Sequence, residues 1–160
     1  MAEAWVVNAS PIIVLAKIGQ LRLIPALANT VLVPNSVAQE IMSGPASDPA
    51  RMAIEGGWGV QTSIAQIPSE IMEWGLGIGE ASVIAIAQSK PSAIAVMDDA
   101  LGRSCARSMS VPVIGTLGVI LRAKKRGLIS SFAQSVREIK AAGLFFDDNL
   151  LEELLKTAGE

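Results

Sequence analysis

The chain has 160 residues, enough for one domain with a sizeable core, and it is apolar for its length: 51% hydrophobic and 18% charged. Its net charge of −2 argues against attachment to nucleic acid by a general positive field, though not against a local basic patch. It contains no histidine and no tyrosine, which excludes Ser–His–Asp and Cys–His nucleophiles, histidine-ligated zinc and histidine general bases.

Ala4 to Val7 reads as a short buried strand, closed by Asn8-Ala9-Ser10-Pro11. Ser10 is the expected N-cap of the helix that follows, with Pro11 at its first position and Gly19 as its end. A second short helix is expected over Leu21 to Leu27, then a strand over Thr30 to Val33 stopped by Pro34. Asn35-Ser36 should cap a helix to about Met42, and Asp48 to Glu55 forms another. Trp58 to Ile64 is a weak edge strand, and Ser69 to Trp74 is helical.

Gly75-Leu76-Gly77-Ile78-Gly79 reads as a flexible loop presenting Glu80 at the start of a helix to Gln88. It neither follows a clear strand nor has the G-x-G-x-x-G spacing of a dinucleotide site. Ala93 to Met97 is a strand of small and branched residues ending in Asp98-Asp99. A helix over Ala100 to Met109, a strand over Val111 to Ile114 and a helix over Leu117 to Lys125 follow. Two amphipathic helices fill residues 131–158, the second capped by Asp147-Asp148.

Short apolar strands alternating with helices imply a parallel sheet covered on both faces, in one domain spanning 1–160 with the last helices added to the sheet core. No apolar run approaches the roughly 18–20 residues of a membrane span. The opening Met-Ala-Glu-Ala-Trp carries no basic segment and no apolar signal core, and Cys105 stands alone. The expectation is therefore a cytoplasmic protein with Cys105 as a small buried thiol.

In open parallel sheets, sites form beyond the carboxyl ends of the strands. Asn8 and Asp98-Asp99 stand at such ends, Glu40 follows the second strand, and Glu80 follows the glycine run. Gathered together, these carboxylates would repel unless a cation neutralised them, and Mg²⁺ or Mn²⁺ held by oxygen ligands is the standard resolution. Taken singly, each has an ordinary explanation. Glu40 suits a solvated helix face, Glu80 the positive end of its helix, Asp98-Asp99 a helix cap, and Asn8 a turn. Arg103 and Arg107 share a helix face, and Lys124-Lys125-Arg126 suits either a phosphate contact or a helix C-terminus.

In order and spacing, these segments resemble PIN-domain ribonucleases. The pieces are Val7-Asn8-Ala9-Ser10-Pro11, Val33-Pro34 with Val37 and Glu40-Ile41, Leu76-Gly77-Ile78-Gly79-Glu80-Ala81, Asp98-Asp99 with Arg103 and Ala106, and Val113-Ile114-Gly115-Thr116-Leu117-Gly118-Val119 with Ala123-Lys124 and Gly127-Leu128-Ile129. They are similar to a PIN-like subgroup of uncharacterised prokaryotic proteins related to the nucleases of toxin–antitoxin pairs. The resemblance implies a three-layer α/β/α sandwich with a mainly parallel sheet, and Mg²⁺- or Mn²⁺-dependent RNA cleavage. By position, Asn8, Glu40, Glu80 and Asp98 or Asp99 fall on the family's metal-binding acids, and Ser10 on the hydroxyl supporting the first. Arg103, Arg107 and Lys124 are candidate phosphate contacts. RNA is the implied substrate, an antitoxin protein and a second copy of the chain the implied partners. Asn8 stands where the family has Asp, and Ala9 where Thr is common. An amide oxygen can ligate a metal but brings no charge, so two readings stay open: an active metal-dependent nuclease, or a weakened PIN-like module that binds RNA or protein.

Overall fold

The computed structural model describes residues 3–160. Five strands form an all-parallel sheet: β1 (Ala4–Val7), β2 (Thr30–Pro34), β3 (Val60–Thr62), β4 (Ile94–Val96) and β5 (Val113–Ile114), in the order β3-β2-β1-β4-β5. The helices are α1 (Ala9–Lys17), α2 (Leu23–Leu27), α3 (Asn35–Met42), α4 (Pro49–Glu55), α5 (Ser69–Met72), α6 (Ile78–Gln88), α7 (Ala100–Ser108), α8 (Thr116–Lys125), α9 (Phe132–Ala141) and α10 (Asp148–Thr157).

The strand order decides where the helices go. From β1 to β3 the chain steps one way across the sheet; from β3 through β4 to β5 it returns the other way. Parallel crossovers are right-handed, so the two directions lay their helices on opposite faces. α6 and α7 pack together on one face, with α6 running across β1, β2 and β4; α8 packs against α1 and α2 on the other. This is the α/β sandwich expected from the sequence. The direction reverses between β1 and β4, where the outgoing chains diverge and leave a crevice.

The core explains why the strands read as unbroken apolar runs. Val6, Val7, Val33, Ala95 and Val96 are fully enclosed, and α6 buries every residue from Ala81 to Ala87. Trp5 is buried beneath the Arg122 guanidinium, and Trp58 and Trp74 pack against the core as expected of packing residues. Cys105 is buried in α7, and burial pushes its thiol pKa up, which keeps it protonated.

The cap of α3 is Pro34 rather than Asn35-Ser36, with Asn35 already helical, and three further local expectations change. Asn8, not Ser10, is the N-cap of α1, because the helix starts directly after the strand and Ala9 is already helical. The glycine run is not all loop: α6 begins at Ile78 with Gly77 as N-cap, so Glu80 lies within its first turn. β3 shrinks to three residues at the sheet edge, where Gly59, at φ +74°, sits so close to β2 that a Cβ would come 2.7 Å from Val33 Cγ2.

α10 buries none of its residues completely. It is tied down instead by Glu160, whose carboxylate accepts from the backbone amides of Phe132 (2.6 Å) and Ala133 (3.1 Å) at the start of α9 and pairs with Lys124 at 3.3 Å. Those amides, then Lys124 and Ser131, hold the Glu160 carboxyl down to about 2. A depressed carboxyl contributes stability above its ordinary 4.5 and loses it as pH falls toward 2. Hydrogen exchange at Phe132 and Ala133 should therefore accelerate between pH 4.5 and 2 beyond the intrinsic pH trend. Glu160→Gln should flatten that response; an unchanged response would rule out the clasp.

Candidate metal and phosphate site

The site is built at the carboxyl ends of β1, β4 and β5. Val7 pairs with Val96, and Val96 with Ile114, so Asn8, Asp98 and Thr116 emerge from three adjacent strand ends. The Asn8 amide donates to Val96 O at 2.9 Å, carrying the β1–β4 ladder one step past the strand.

Asn8 is only 4% exposed, and although it occupies the N-cap it makes no side-chain cap hydrogen bond. An Asn in this position ordinarily accepts from an amide one turn on. Here its Oδ1 faces Gly79 instead, 3.4 Å from where a Cβ on Gly79 would stand. Glu40 Oε1 lies 3.6 Å from the same point. The first turn of α6 thus approaches the end of β1 and α3 with a bare backbone, and the space a methyl group would fill is bordered by two oxygens.

Glu80 is three residues beyond the N-cap of α6. Its Oε2 folds back over Gly77, 2.6 Å from where a Cβ there would be, so it also lies at the positive end of the helix. Glu40 lies in the last turns of α3 and is outwardly exposed, yet its pKa is raised above 4.5, first by partial burial of the carboxyl and second by the charge of Glu80. The Glu80 charge thus reaches the Glu40 carboxyl.

Asp98 and Asp99 separate cleanly. Asp99 is the N-cap of α7, accepting from the Gly102 amide at 2.7 Å. Asp98 turns inward: Oδ1 accepts from the Thr116 amide and Oδ2 from the Thr116 hydroxyl, each at 2.7 Å, and Ser10 Oγ donates to Oδ2 at 3.1 Å. Ser10, expected to support residue 8, is hydrogen-bonded to Asp98. Gly115 makes room for this: a Cβ there would be 2.9 Å from Asp98 Oδ1. The sequence offers Thr116 only within the Val113–Val119 piece, with no site role of its own. Its signal was its place, directly after a strand and beside a glycine, on the same strand-end line as Asn8 and Asp98.

A single four-acid cluster does not form. Among the described residues, no three His, Cys, Asp or Glu side chains gather closely enough to hold an ion. The arrangement is in two groups: Asn8 and Glu40 border Gly79, with the Glu80 carboxylate over Gly77 and near enough for its charge to act on Glu40, and Ser10 and Thr116 meet Asp98 beside Gly115, while Asp99 serves as a cap. The first group is a hard-oxygen donor set of two carboxylates and one amide. Mg²⁺ commonly takes one or two carboxylates and fills its remaining positions with waters and substrate phosphate oxygens, so these donors fit it.

The basic candidates also divide. Arg103 lies next to Asp98 without pairing with it: its Nη1 is 3.5 Å from the Cβ position of Gly115, and its Nε is buried with no hydrogen-bond partner. Arg107 is exposed in the last turn of α7. Lys124 does not reach the carboxylates. It is eight residues along α8 from Thr116, roughly 12 Å of helix, and its Nζ donates to Ser130 O and pairs with Glu160.

A family model described as PIN domain (DUF3368) matches residues 4–160. No curated protein matches the chain.

Proposed function

Because the chain belongs to the PIN-domain family, we propose that it is a Mg²⁺- or Mn²⁺-dependent ribonuclease. We propose further that it is the toxin half of a toxin–antitoxin pair, acting as a cytoplasmic homodimer. The observation that carries the nuclease reading is Asn8: a buried N-cap residue whose amide oxygen is withheld from capping and aimed at the gap it shares with Glu40. A residue serving only its turn would cap it.

Glu40, Glu80 and Asn8 Oδ1 would hold the cation. Bound there, it would promote ionisation of water and offset charge on the phosphate under attack. Asp98 has a different task. With two donors from Thr116 and one from Ser10, it locks the ends of β1, β4 and β5 together and so fixes the walls of the site. Arg103, which has no ion-pair partner among the described residues, would hold a phosphate of the RNA strand. Exposed Met52, Val60, Met72 and Ile78 supply apolar surface that a second copy could cover.

Purified protein with labelled single-stranded RNA and Mn²⁺ tests the reading. Cleavage is expected, and Glu80→Gln should reduce it by about 100-fold, the scale of losing charge stabilisation at a phosphoryl centre. Undiminished cleavage by Glu80→Gln would remove this site. The second reading, a PIN-like module that binds RNA or a partner protein without cutting, is favoured by the neutral Asn8 and by the lack of a three-carboxylate group among the described residues. It predicts RNA or protein binding with no cleavage by the natural chain.

A further inference from the structure

Beside Asp98 the molecule carries a cleft of about 230 Å³, walled on one side by the start of α7 and the β5–α8 turn and on the other by α10 and the segment leading into it. Its two ends differ in chemistry. At the inner end are Asp98 and Arg103; the outer wall is Phe145, Phe146, Leu150 and Leu154.

The inner end holds an unmet demand. Arg103 Nε is buried and has no partner, and among the described residues its guanidinium forms no ion pair. Asp98 does not answer it: its oxygens accept from Thr116 and Ser10, and among the described residues it forms no hydrogen bond or ion pair with Arg103. A buried donor left unpaired costs free energy, and the acceptor that best matches the fork of a guanidinium is a phosphate or carboxylate. The outer wall holds an anomaly of the opposite kind. Phe146 is half-buried with the Lys140 ammonium 5.6 Å from its ring centroid, whereas its neighbour Phe145 is 83% exposed. An unpacked phenyl ring at the rim of an apolar cleft offers a face for stacking.

We propose that this cleft is a nucleoside subsite: Arg103 takes a phosphate of the bound strand, and the adjoining base enters the apolar wall and stacks on Phe145. Size supports one nucleoside over a peptide helix. The cleft is smaller than the roughly 300–1,000 Å³ of drug-sized sites, and a helix would need an extended groove with several apolar anchors. The inference takes its ligand class from the ribonuclease reading, but its geometry does not depend on cleavage. It makes the α10 segment, which lies outside the sheet core, part of the substrate surface.

Calorimetric titration of the full chain with AMP, CMP and ribose 5-phosphate in metal-free buffer separates base from phosphate. At least one nucleotide should bind fivefold or more tightly than ribose 5-phosphate. Phe145→Ala, at an exposed position where folding is not at stake, should erase that preference and leave ribose 5-phosphate unchanged. Arg103→Gln should weaken all three ligands. Equal binding of nucleotide and sugar phosphate, absence of binding by any of them, or a preference indifferent to Phe145→Ala would overturn the subsite. Base-dependent binding without RNA cleavage would sink the ribonuclease reading and spare the subsite; cleavage without base-dependent binding would do the reverse.

Discussion

Asn8→Asp should bind Mn²⁺ about 10–100-fold more tightly than the natural chain, cleave RNA correspondingly faster, and melt at a lower temperature when no metal is present. Two opposed effects set the size. A unit charge about 4 Å from a cationic charge is worth roughly 4 kcal/mol at an effective dielectric of 20. Burying a carboxylate at a position only 4% exposed takes back several kcal/mol of that. A surplus of roughly 1.4–2.7 kcal/mol corresponds to the 10–100-fold range. Without metal there is no such offset. The new charge would face Glu40, whose carboxyl is already pushed up by partial burial and by Glu80, and a third negative group would push it further. The variant should therefore be less stable than the natural protein in chelator and more strongly stabilised by Mn²⁺. Melting curves in EDTA and in Mn²⁺, with calorimetric titration of the metal, read both halves. Equal Mn²⁺ affinity and identical melting in EDTA would mean that residue 8 does not share its space with these acids, and the metal reading would fall with it.

The same crowding explains why the sequence located these residues without resolving their geometry. The strands were legible because β1, β2 and β4 are enclosed on both faces and so read as apolar runs ended by polar residues. Asn8, Glu40 and Glu80 were legible because each follows a strand or glycine turn at the same end of the sheet. The division of labour between Asp98 and Asp99 was not, since both suit a strand-to-helix turn. Only the backbone geometry makes Asp99 the cap and turns Asp98 toward Thr116. Thr116 has a local signal in its place after a strand and beside a glycine, but its pairing with Asp98 depends on the β4–β5 register, which the sequence does not show. Lys124 misled for the converse reason: it shares α8 with Thr116, but helix length carries it to the other end, where Glu160 holds it. Gly79 read as loop because glycine disfavours helices, whereas here it lets α6 approach the Asn8 and Glu40 oxygens closely.

Asp98→Ala and Glu40→Gln should move stability in opposite directions, and that opposition separates the acid that builds the site from the acid that works in it. Asp98 accepts three hydrogen bonds, two of them from Thr116, which is fully buried. Removing the carboxylate strands the Thr116 amide and hydroxyl, and one unsatisfied buried group costs about 1–3 kcal/mol. At roughly 2–4 °C per kcal/mol for a chain of this size, melting should fall by about 2–12 °C for each stranded group. Glu40 is the reverse case. Its carboxyl is raised by partial burial and by Glu80, so the fold disfavours its charged form. That cost is absent below the ordinary value of 4.5, where the acid is protonated whether folded or not, and is fully present above the raised value. Glu40→Gln should therefore raise the melting temperature at pH 7.5, have little effect at pH 4, and still abolish metal-dependent cleavage. Gaining stability while losing activity is what a group held against its own preference for function does. Thermal melts of both variants at the two pH values decide it: a Glu40→Gln protein that melts lower at pH 7.5, as Asp98→Ala should, would make Glu40 a structural acid and leave the candidate cation site without its second carboxylate.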